Sequence, residues 1–200
     1  RGTLYRLTNV NGTWTPRASR LWSNGKALRY PDGTGDVDAE GVAARGTAIY
    51  VSAERNNSVS NVRRLSILRY NVAVENGATL LATHEWNLTG ALPAVGANLG
   101  LEGIAFVPDD FLVARGFYDE SKGRAYAPVD YPNHEGGLFF VAVEGTGMVH
   151  AFALNHVSGG FTRVASFAGG FPGAMDLSFD AELGQLWVIC DDTCQGRSAV

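Results

Sequence analysis

Cysteine, excess positive charge and long apolar runs are all scarce in this sequence, and each scarcity excludes a class of protein. Two cysteines among 200 residues cannot build a disulfide-rich scaffold and supply only half the ligands of a structural zinc site. Lys and Arg total 16 against 20 Asp and Glu, a net charge of -4, and no basic block stands out. The apolar runs stay well short of the roughly 20 residues of a membrane-spanning helix. Neither a nucleic-acid partner nor a membrane span is therefore expected.

The two cysteines, Cys190 and Cys194, flank a predicted hairpin turn. A disulfide there would favour a secreted or periplasmic protein, whereas two free thiols would suit the cytosol equally well. We favour the disulfide, because the turn would hold the sulfur atoms close together. No signal peptide is recognisable before the first strand-like segment, so an exported protein would have had its leader removed.

Glycine, valine, threonine and aromatic residues are abundant and helical patterns are few, which predicts an all-β chain. Within it, one pattern occurs three times: a carboxylate before a short apolar strand, and a second carboxylate at the end of the next strand. The copies begin at Ala39-Glu40-Gly41-Val42-Ala43, Leu101-Glu102-Gly103-Ile104-Ala105 and Met175-Asp176-Leu177-Ser178-Phe179. Such internal repetition is typical of repeat folds.

A full copy of the pattern predicts four antiparallel strands, which make one blade of a β-propeller. We assign residues 1–22 to the last strands of one blade and 36–97 to a complete blade. Residues 98–171 form a second complete blade with an insertion at 108–137, and residues 172–200 start another. The chain is thus expected to cover three to four blades of a larger ring, completed by further residues or by another chain. An open sandwich of β-meanders is the alternative.

The first strand of each blade borders the central channel, so the carboxylates that precede these strands should form a negative ring at its mouth. Asp36, Asp38 and Glu40 alternate in sequence and would lie on one face of an extended strand. Oxygen ligands of this kind suit calcium first and magnesium second. The predicted metal-binding residues are Glu40, Glu102, Asp176, Asn98 and Asp36. The alternative is structural, with these side chains capping strands or pairing with Arg55 or Arg63.

A second set of carboxylates, Glu54, Glu144 and Asp191, ends the second strand of each copy. A structural role is favoured for this set. If the protein is an enzyme, Glu54 or Glu144 would serve as the general base that activates a water molecule.

Several of these motifs resemble a known family. The Glu-Gly-Val/Ile-Ala starts, the strand ending Val-Ser-Ala-Glu at Glu54, and the segments 177–180 and 184–188 are similar to the β-propellers of the phytase-like esterase group. More loosely, they resemble the calcium-dependent gluconolactonase and regucalcin-like propellers. The resemblance covers about residues 36–198. The third copy departs from it, with Asp176-Leu177-Ser178 in place of Glu-Gly-Ile.

The resemblance implies a secreted or periplasmic six-bladed propeller with metal-assisted hydrolysis of an ester, phosphoester or lactone in its channel. It implies Glu40, Glu102 and Asp176 as the metal-binding carboxylates. Two functions stay open: a calcium-dependent hydrolase of small-molecule esters or phosphoesters, and a non-catalytic propeller that binds a ligand or protein and holds a structural cation. Since metal-activated water needs no side-chain nucleophile, the lack of a Gly-x-Ser-x-Gly motif does not separate them.

The insertion carries His134, and long irregular loops often hold functional residues. Because this loop links a first strand to a second one, it should lie on the face opposite the carboxylates. A partner-binding loop and a simple elaboration are both open. The remaining histidines are expected to be structural in the case of His84 and His150, and solvated in the case of His156. The aromatic side chains predicted to be exposed are Tyr30, Phe117, Tyr118, Tyr126 and Tyr131.

Overall fold

Strands dominate the computed structural model, which describes residues 2–17, 22–59, 62–73, 77–190 and 194–200. The first half of the chain contains β1 (Thr3–Leu4), β2 (Leu7–Val10), β3 (Thr13–Pro16), β4 (Lys26–Arg29), β5 (Val37–Arg45), β6 (Ala48–Asn56), β7 (Arg63–Asn71) and β8 (Thr79–Asn87). The second half contains β9 (Leu101–Pro108), α1 (Asp109–Ala114), β10 (Tyr118–Asp119), β11 (Arg124–Ala125), β12 (Gly137–Val143), β13 (Met148–Leu154), β14 (Phe161–Ala168), β15 (Asp176–Asp180), β16 (Gln185–Ile189) and β17 (Ser198–Ala199). The prediction of an all-β chain is confirmed. Among the described residues, no helix has the length and apolar character needed to cross a membrane.

Three sheets follow one another along the chain. In the first, β5 to β8 form an antiparallel meander, and in the second β9, β12, β13 and β14 do the same. The third contains β15, β16 and β17, also antiparallel. Strands β2 and β3 form a separate hairpin, in which Asn11 and Gly12 both adopt positive φ at the turn, as the sequence Asn11-Gly12-Thr13 predicts.

The first strands of the three sheets lie beside one another, β5 against β9 and β9 against β15. Glycine in the repeated Glu-Gly motif makes this approach possible. A Cβ atom on Gly41 would lie 2.6 Å from the backbone oxygen of Glu102, and one on Gly103 would lie 2.4 Å from the backbone nitrogen of Leu177. The repeat glycines are therefore required by the backbone of the next sheet, independently of any ligand.

Strand β4 was not predicted, because the sequence around it is polar and glycine-rich with no clear periodicity. It pairs in parallel with β8 and covers the outer edge of the first sheet. Its Lys26 is buried, lies over the ring of Trp22 at 5.0 Å and donates a hydrogen bond to the backbone oxygen of Gly77. Tertiary packing thus creates a strand where local sequence gives little indication of one.

Several aromatic residues are more deeply placed than the sequence suggests. Tyr30, Tyr126 and Tyr131 are buried, so their predicted exposure is wrong, whereas Tyr118 is exposed as expected. Tyr30 packs with Trp22 and Leu28 around β4, and the other two tyrosines belong to the core under the segment between β9 and β12. The region around Tyr30 is polar and glycine-rich and the insertion is long, yet each folds back onto a sheet.

A buried tyrosine links the first two sheets. The hydroxyl oxygen of Tyr50 lies 2.9 Å from Nε2 of His156 and 3.0 Å from Oε2 of Glu135, and Nε of Arg69 donates to it. His156 donates from Nδ1 to the backbone oxygen of Asn133. Tyr50 donates its one hydroxyl hydrogen to Oε2 of Glu135, and burial lowers the pKa of His156. The expectation that His156 is merely solvated is wrong.

Replacing Tyr50 with phenylalanine should destabilise the protein by about 1–3 kcal/mol, because His156 and Arg69 would each lose a hydrogen-bond partner inside the protein. Urea denaturation followed by fluorescence measures this change. Tyr118→Phe is the matched control, since the Tyr118 side chain is exposed. Equal stabilities of the two variants would show that the network between the sheets contributes nothing.

Candidate cation site

Three carboxylates converge where β5 begins and β6 ends. Asp38 and Glu40 lie on β5 and Glu54 lies on β6, which pairs antiparallel with β5. One oxygen from each carboxylate lies within 4.8 Å of the others, so the group could hold a metal ion. Because Ca²⁺ binds oxygen at about 2.3–2.6 Å, two ligands of one ion can be about 5 Å apart, whereas Mg²⁺ at about 2.0–2.1 Å spans about 4 Å.

Irregular strand pairing produces this convergence. The register between β5 and β6 shifts on both sides of Ala39, so that Gly41 pairs with Ser52 while Val37 pairs with Asn56. The pairing of β9 with β12 also shifts, between Ile104 and Leu101. Bulges of this kind redirect side chains and are common next to functional sites. Here they occur beside the same carboxylates that the repeat identifies.

Glu54 and Asp38 are fixed by neighbours on the protein side. Glu54 is only 2% exposed, and its Oε1 accepts a hydrogen bond from the backbone N–H of Gly100 at 2.7 Å. Nε of Arg55 lies 2.7 Å from Oδ2 of Asp38, and Asn57 donates to Oδ1 of the same carboxylate at 2.8 Å. One end of this cluster is therefore preorganised by donors, as the structural alternative of pairing with Arg55 anticipated.

Glu102 differs from Glu54 and Asp38 in the lack of hydrogen-bond donors to its carboxylate. It is 9% exposed, and within the described part of the chain no group donates a hydrogen bond to its carboxylate. Its backbone oxygen, by contrast, accepts a hydrogen bond from the hydroxyl of Ser52, which itself accepts from the N–H of Gly41. Burial, followed by the charges of Glu40, Glu54, Glu144 and Asp38, raises the pKa of Glu102 to about 8. Without a cation, this side chain is protonated at neutral pH.

The pKa values of Glu40 and Glu54 are also raised. Although Glu40 is exposed as a residue, loss of hydration at its carboxylate is the main cause, and the charges of Asp38 and Glu54 add to it. For Glu54 burial is again the main cause, partly offset by the Gly100 N–H and Arg55. Both shifts therefore come mainly from loss of hydration, to which the charge of Asp38 adds in each case.

Glu144, predicted as a general base, lies at the start of a 3-10 helix that follows β12. Its backbone N–H donates to the backbone oxygen of Gly100 at 3.0 Å. The N–H of the same Gly100 donates to the carboxylate of Glu54, so Gly100 binds both glutamates. Its charge contributes to the raised pKa of Glu102. Glu144 thus belongs to the same carboxylate region while standing outside the group of three.

The other predicted ligands lie apart from that group. Asp36 faces Arg29, with 3.6 Å between the guanidinium and the carboxylate. Asp176 is exposed, and its Oδ1 accepts a hydrogen bond from the N–H of Leu177. Asn98 is exposed in the turn before β9. Asp191 lies outside the described residues, although its neighbour Cys190 forms the predicted disulfide with Cys194.

Two assignments made from sequence differ from this arrangement. Asp38 was not included among the predicted ligands, although it alternates with Glu40 in the acidic stretch that pointed to this strand. Glu54 is predicted to be structural, or to act as the base if the protein is an enzyme, and it was not predicted as a ligand although its carboxylate stands among the grouped oxygens. The signal for Asp38 was present in the alternation, but the bulge that separates it from Asp36 cannot be read from residue types.

No protein-family model matches this chain, and no curated protein matches it either. The all-β fold and the group formed by Asp38, Glu40 and Glu54 are therefore the basis for assigning a function.

Proposed function

We propose that this chain is part of a calcium-binding β-propeller in which Asp38, Glu40 and Glu54 hold the ion, with magnesium as the second choice. The observation that carries the proposal is the set of three carboxylate oxygens within 4.8 Å of one another. Glu102 strengthens it, because a buried carboxylate without a donor among the described residues is stabilised by a nearby cation.

The sheet order supports the propeller. Two successive four-stranded meanders and a third sheet place their first strands side by side. Propeller blades have this order, with the first strand of each blade innermost. In this arrangement the carboxylates at the start of β5 and β9 belong to neighbouring blades and lie at one end of the channel.

We further propose that the site hydrolyses a small-molecule ester, phosphoester or lactone. A bound calcium ion would supply Lewis-acid polarisation of the carbonyl or phosphoryl oxygen. Glu102 and Glu144 are the protein groups available to move a proton beside it. A carboxyl with a pKa near 8 can hold a proton at neutral pH and release it when positive charge arrives.

A purely structural cation is the second candidate, and one observation favours it. Glu54 already uses Oε1 to bind the N–H of Gly100, which leads into β9. This hydrogen bond joins the first sheet to the segment before the second, and an ion held by Glu54 and Glu40 would fix the Glu54 carboxylate in place whether or not a substrate reaches it.

Calcium titration by calorimetry on the wild type, Glu40→Gln and Glu54→Gln tests the ion site. We expect saturable binding by the wild type and at least about tenfold weaker binding by each variant, because each loses one anionic ligand. Asp176→Asn is the matched control, since its carboxylate is exposed and lies outside the group. Absence of calcium binding, or equal loss in Asp176→Asn, would refute the site.

Hydrolysis assays on p-nitrophenyl phosphate, p-nitrophenyl acetate and gluconolactone then separate the two roles. Turnover that EDTA abolishes and calcium restores supports the hydrolase. Calcium binding that raises the melting temperature without any turnover supports the structural cation.

A further inference from the structure

The segment between β9 and β12, residues 109–136, carries a second polar cluster that the cation site does not use. Nε2 of His134 lies 2.9 Å from Oδ2 and 3.0 Å from Oδ1 of Asp109. The hydroxyl of Tyr126 donates to Oδ1 of Asp109 at 2.8 Å. His134 is 8% exposed, so the imidazole is held inside the protein with one edge against a carboxylate.

These contacts fix the position of the imidazole hydrogen. Both oxygens of Asp109 are acceptors, so Nε2 must carry the hydrogen and donate it. Burial and the hydrogen bond to Asp109 raise the pKa of Tyr126, which keeps its hydroxyl protonated and donating to the carboxylate. The other ring nitrogen, Nδ1, forms no hydrogen bond with any group among the described residues.

His134 lines a cavity of about 240 Å³ between this segment and the turn that joins β13 to β14. Tyr131 and Phe161 contribute aromatic surface to the cavity, and Asn155, Ser158 and Thr162 contribute polar groups. The hydroxyl of Thr162 forms no hydrogen bond within the described part of the chain. The volume is smaller than the roughly 300–1,000 Å³ of sites for drug-sized ligands, so it suits a molecule with a single ring.

The carboxylates near the cavity already have hydrogen-bond or ion-pair partners. Asp109 is occupied by His134 and Tyr126, and Asp130 forms an ion pair with Arg124. The groups left for a ligand are Nδ1 of His134 and hydroxyls, beside aromatic rings. Such a surface favours a neutral molecule that has hydroxyl donors and an apolar C–H face, and it offers no counter-charge to a phosphate or carboxylate.

The cavity is also remote from the carboxylates. Glu102 stands at the start of β9 and Asp109 directly after its end, which separates them by about 20 Å of strand. We propose that this cavity is a second binding site, which takes a neutral monosaccharide and in which His134 accepts a hydrogen bond from a sugar hydroxyl through Nδ1. Asp109 is the positioning residue that fixes the tautomer. The proposal is independent of cation binding.

The test is a titration of the ¹⁵N-labelled protein with D-glucose, D-galactose and D-mannose, followed by long-range ¹H–¹⁵N spectra of the histidine rings. We expect Nδ1 of His134 to be unprotonated in the free protein and to shift saturably with at least one sugar, with a Kd of about millimolar order. His150 serves as the internal control, because it is buried in β13 with Nδ1 bound to Ser166.

Two variants make the test decisive. Asp109→Asn should change the tautomer populations of His134 and weaken sugar binding. Thr162→Val leaves the contact between His134 and Asp109 intact, and the fold should tolerate it because Thr162 is exposed. It should weaken sugar binding at least about tenfold. A protonated Nδ1 in the free protein, a shift that grows linearly with every sugar, or binding unchanged in Thr162→Val would overturn the proposal.

Discussion

Gly103→Ala is expected to destabilise the protein by more than about 3 kcal/mol, at the upper end of the cost of overpacking a core. The added methyl carbon would lie 2.4 Å from the backbone nitrogen of Leu177 and 2.6 Å from the backbone carbon of Asp176. Backbone atoms in a paired strand cannot move aside as the end of a side chain can. The clash would therefore force β9 and β15 apart, which thermal or urea denaturation would detect.

Gly90→Ala is the matched control for this substitution. Nothing lies within 4 Å of a Cβ atom at Gly90. The Gly90→Ala variant should be more stable than the wild type by less than about 1 kcal/mol, because alanine restricts the conformations of the unfolded chain. If Gly103→Ala were as stable as Gly90→Ala, the close approach of the first strands would be disproved.

Glu102→Gln should remove most of the pH dependence of stability in the absence of a cation. The pKa of Glu102 is about 8 in the folded protein against 4.5 for an ordinary glutamate. Between these values the unfolded state releases the proton that the folded state keeps, so wild-type stability falls as pH rises. The full difference corresponds to about 3–5 kcal/mol. Urea denaturation in EDTA between about pH 5 and pH 8 measures it.

The glutamine variant should therefore be more stable than the wild type near pH 8 and comparable to it near pH 5. Calcium should restore stability to the wild type at the higher pH and have a smaller effect on the variant. Glu182→Gln, at an exposed turn position, should leave the wild-type pH profile unchanged. Parallel profiles for Glu102→Gln and the wild type would contradict a buried, proton-binding Glu102.

Most strands could be predicted because their apolar residues are bounded by clear turns. The apolar runs that follow these turns predict strands over 48–54, 79–88, 148–155 and 161–167, and β6, β8, β13 and β14 begin at the same residues. Strand β4 could not be found in this way, because its stability comes from pairing with β8 and from the burial of Trp22. Local sequence specifies the meanders well and the added outer strand poorly.

The candidate site was predictable to a similar extent. The repeat located the end of the sheets where the carboxylates gather, and antiparallel pairing of β5 with β6 brings Glu40 close to Glu54. Register shifts between β5 and β6 determine that Asp38, and not Asp36, joins the carboxylate group, and such shifts cannot be predicted from residue types. Donors contributed by distant segments, such as the N–H of Gly100, also require the folded chain.

The parallel pairing of β4 with β8 has a consequence for the order of folding. Each meander forms from strands that are neighbours in sequence, whereas joining Ala27 to Thr79 closes a loop of about 50 residues. Non-local contacts of this kind form slowly. Until β4 attaches, β8 is an open edge that another chain can extend, so aggregation during refolding should begin at β8.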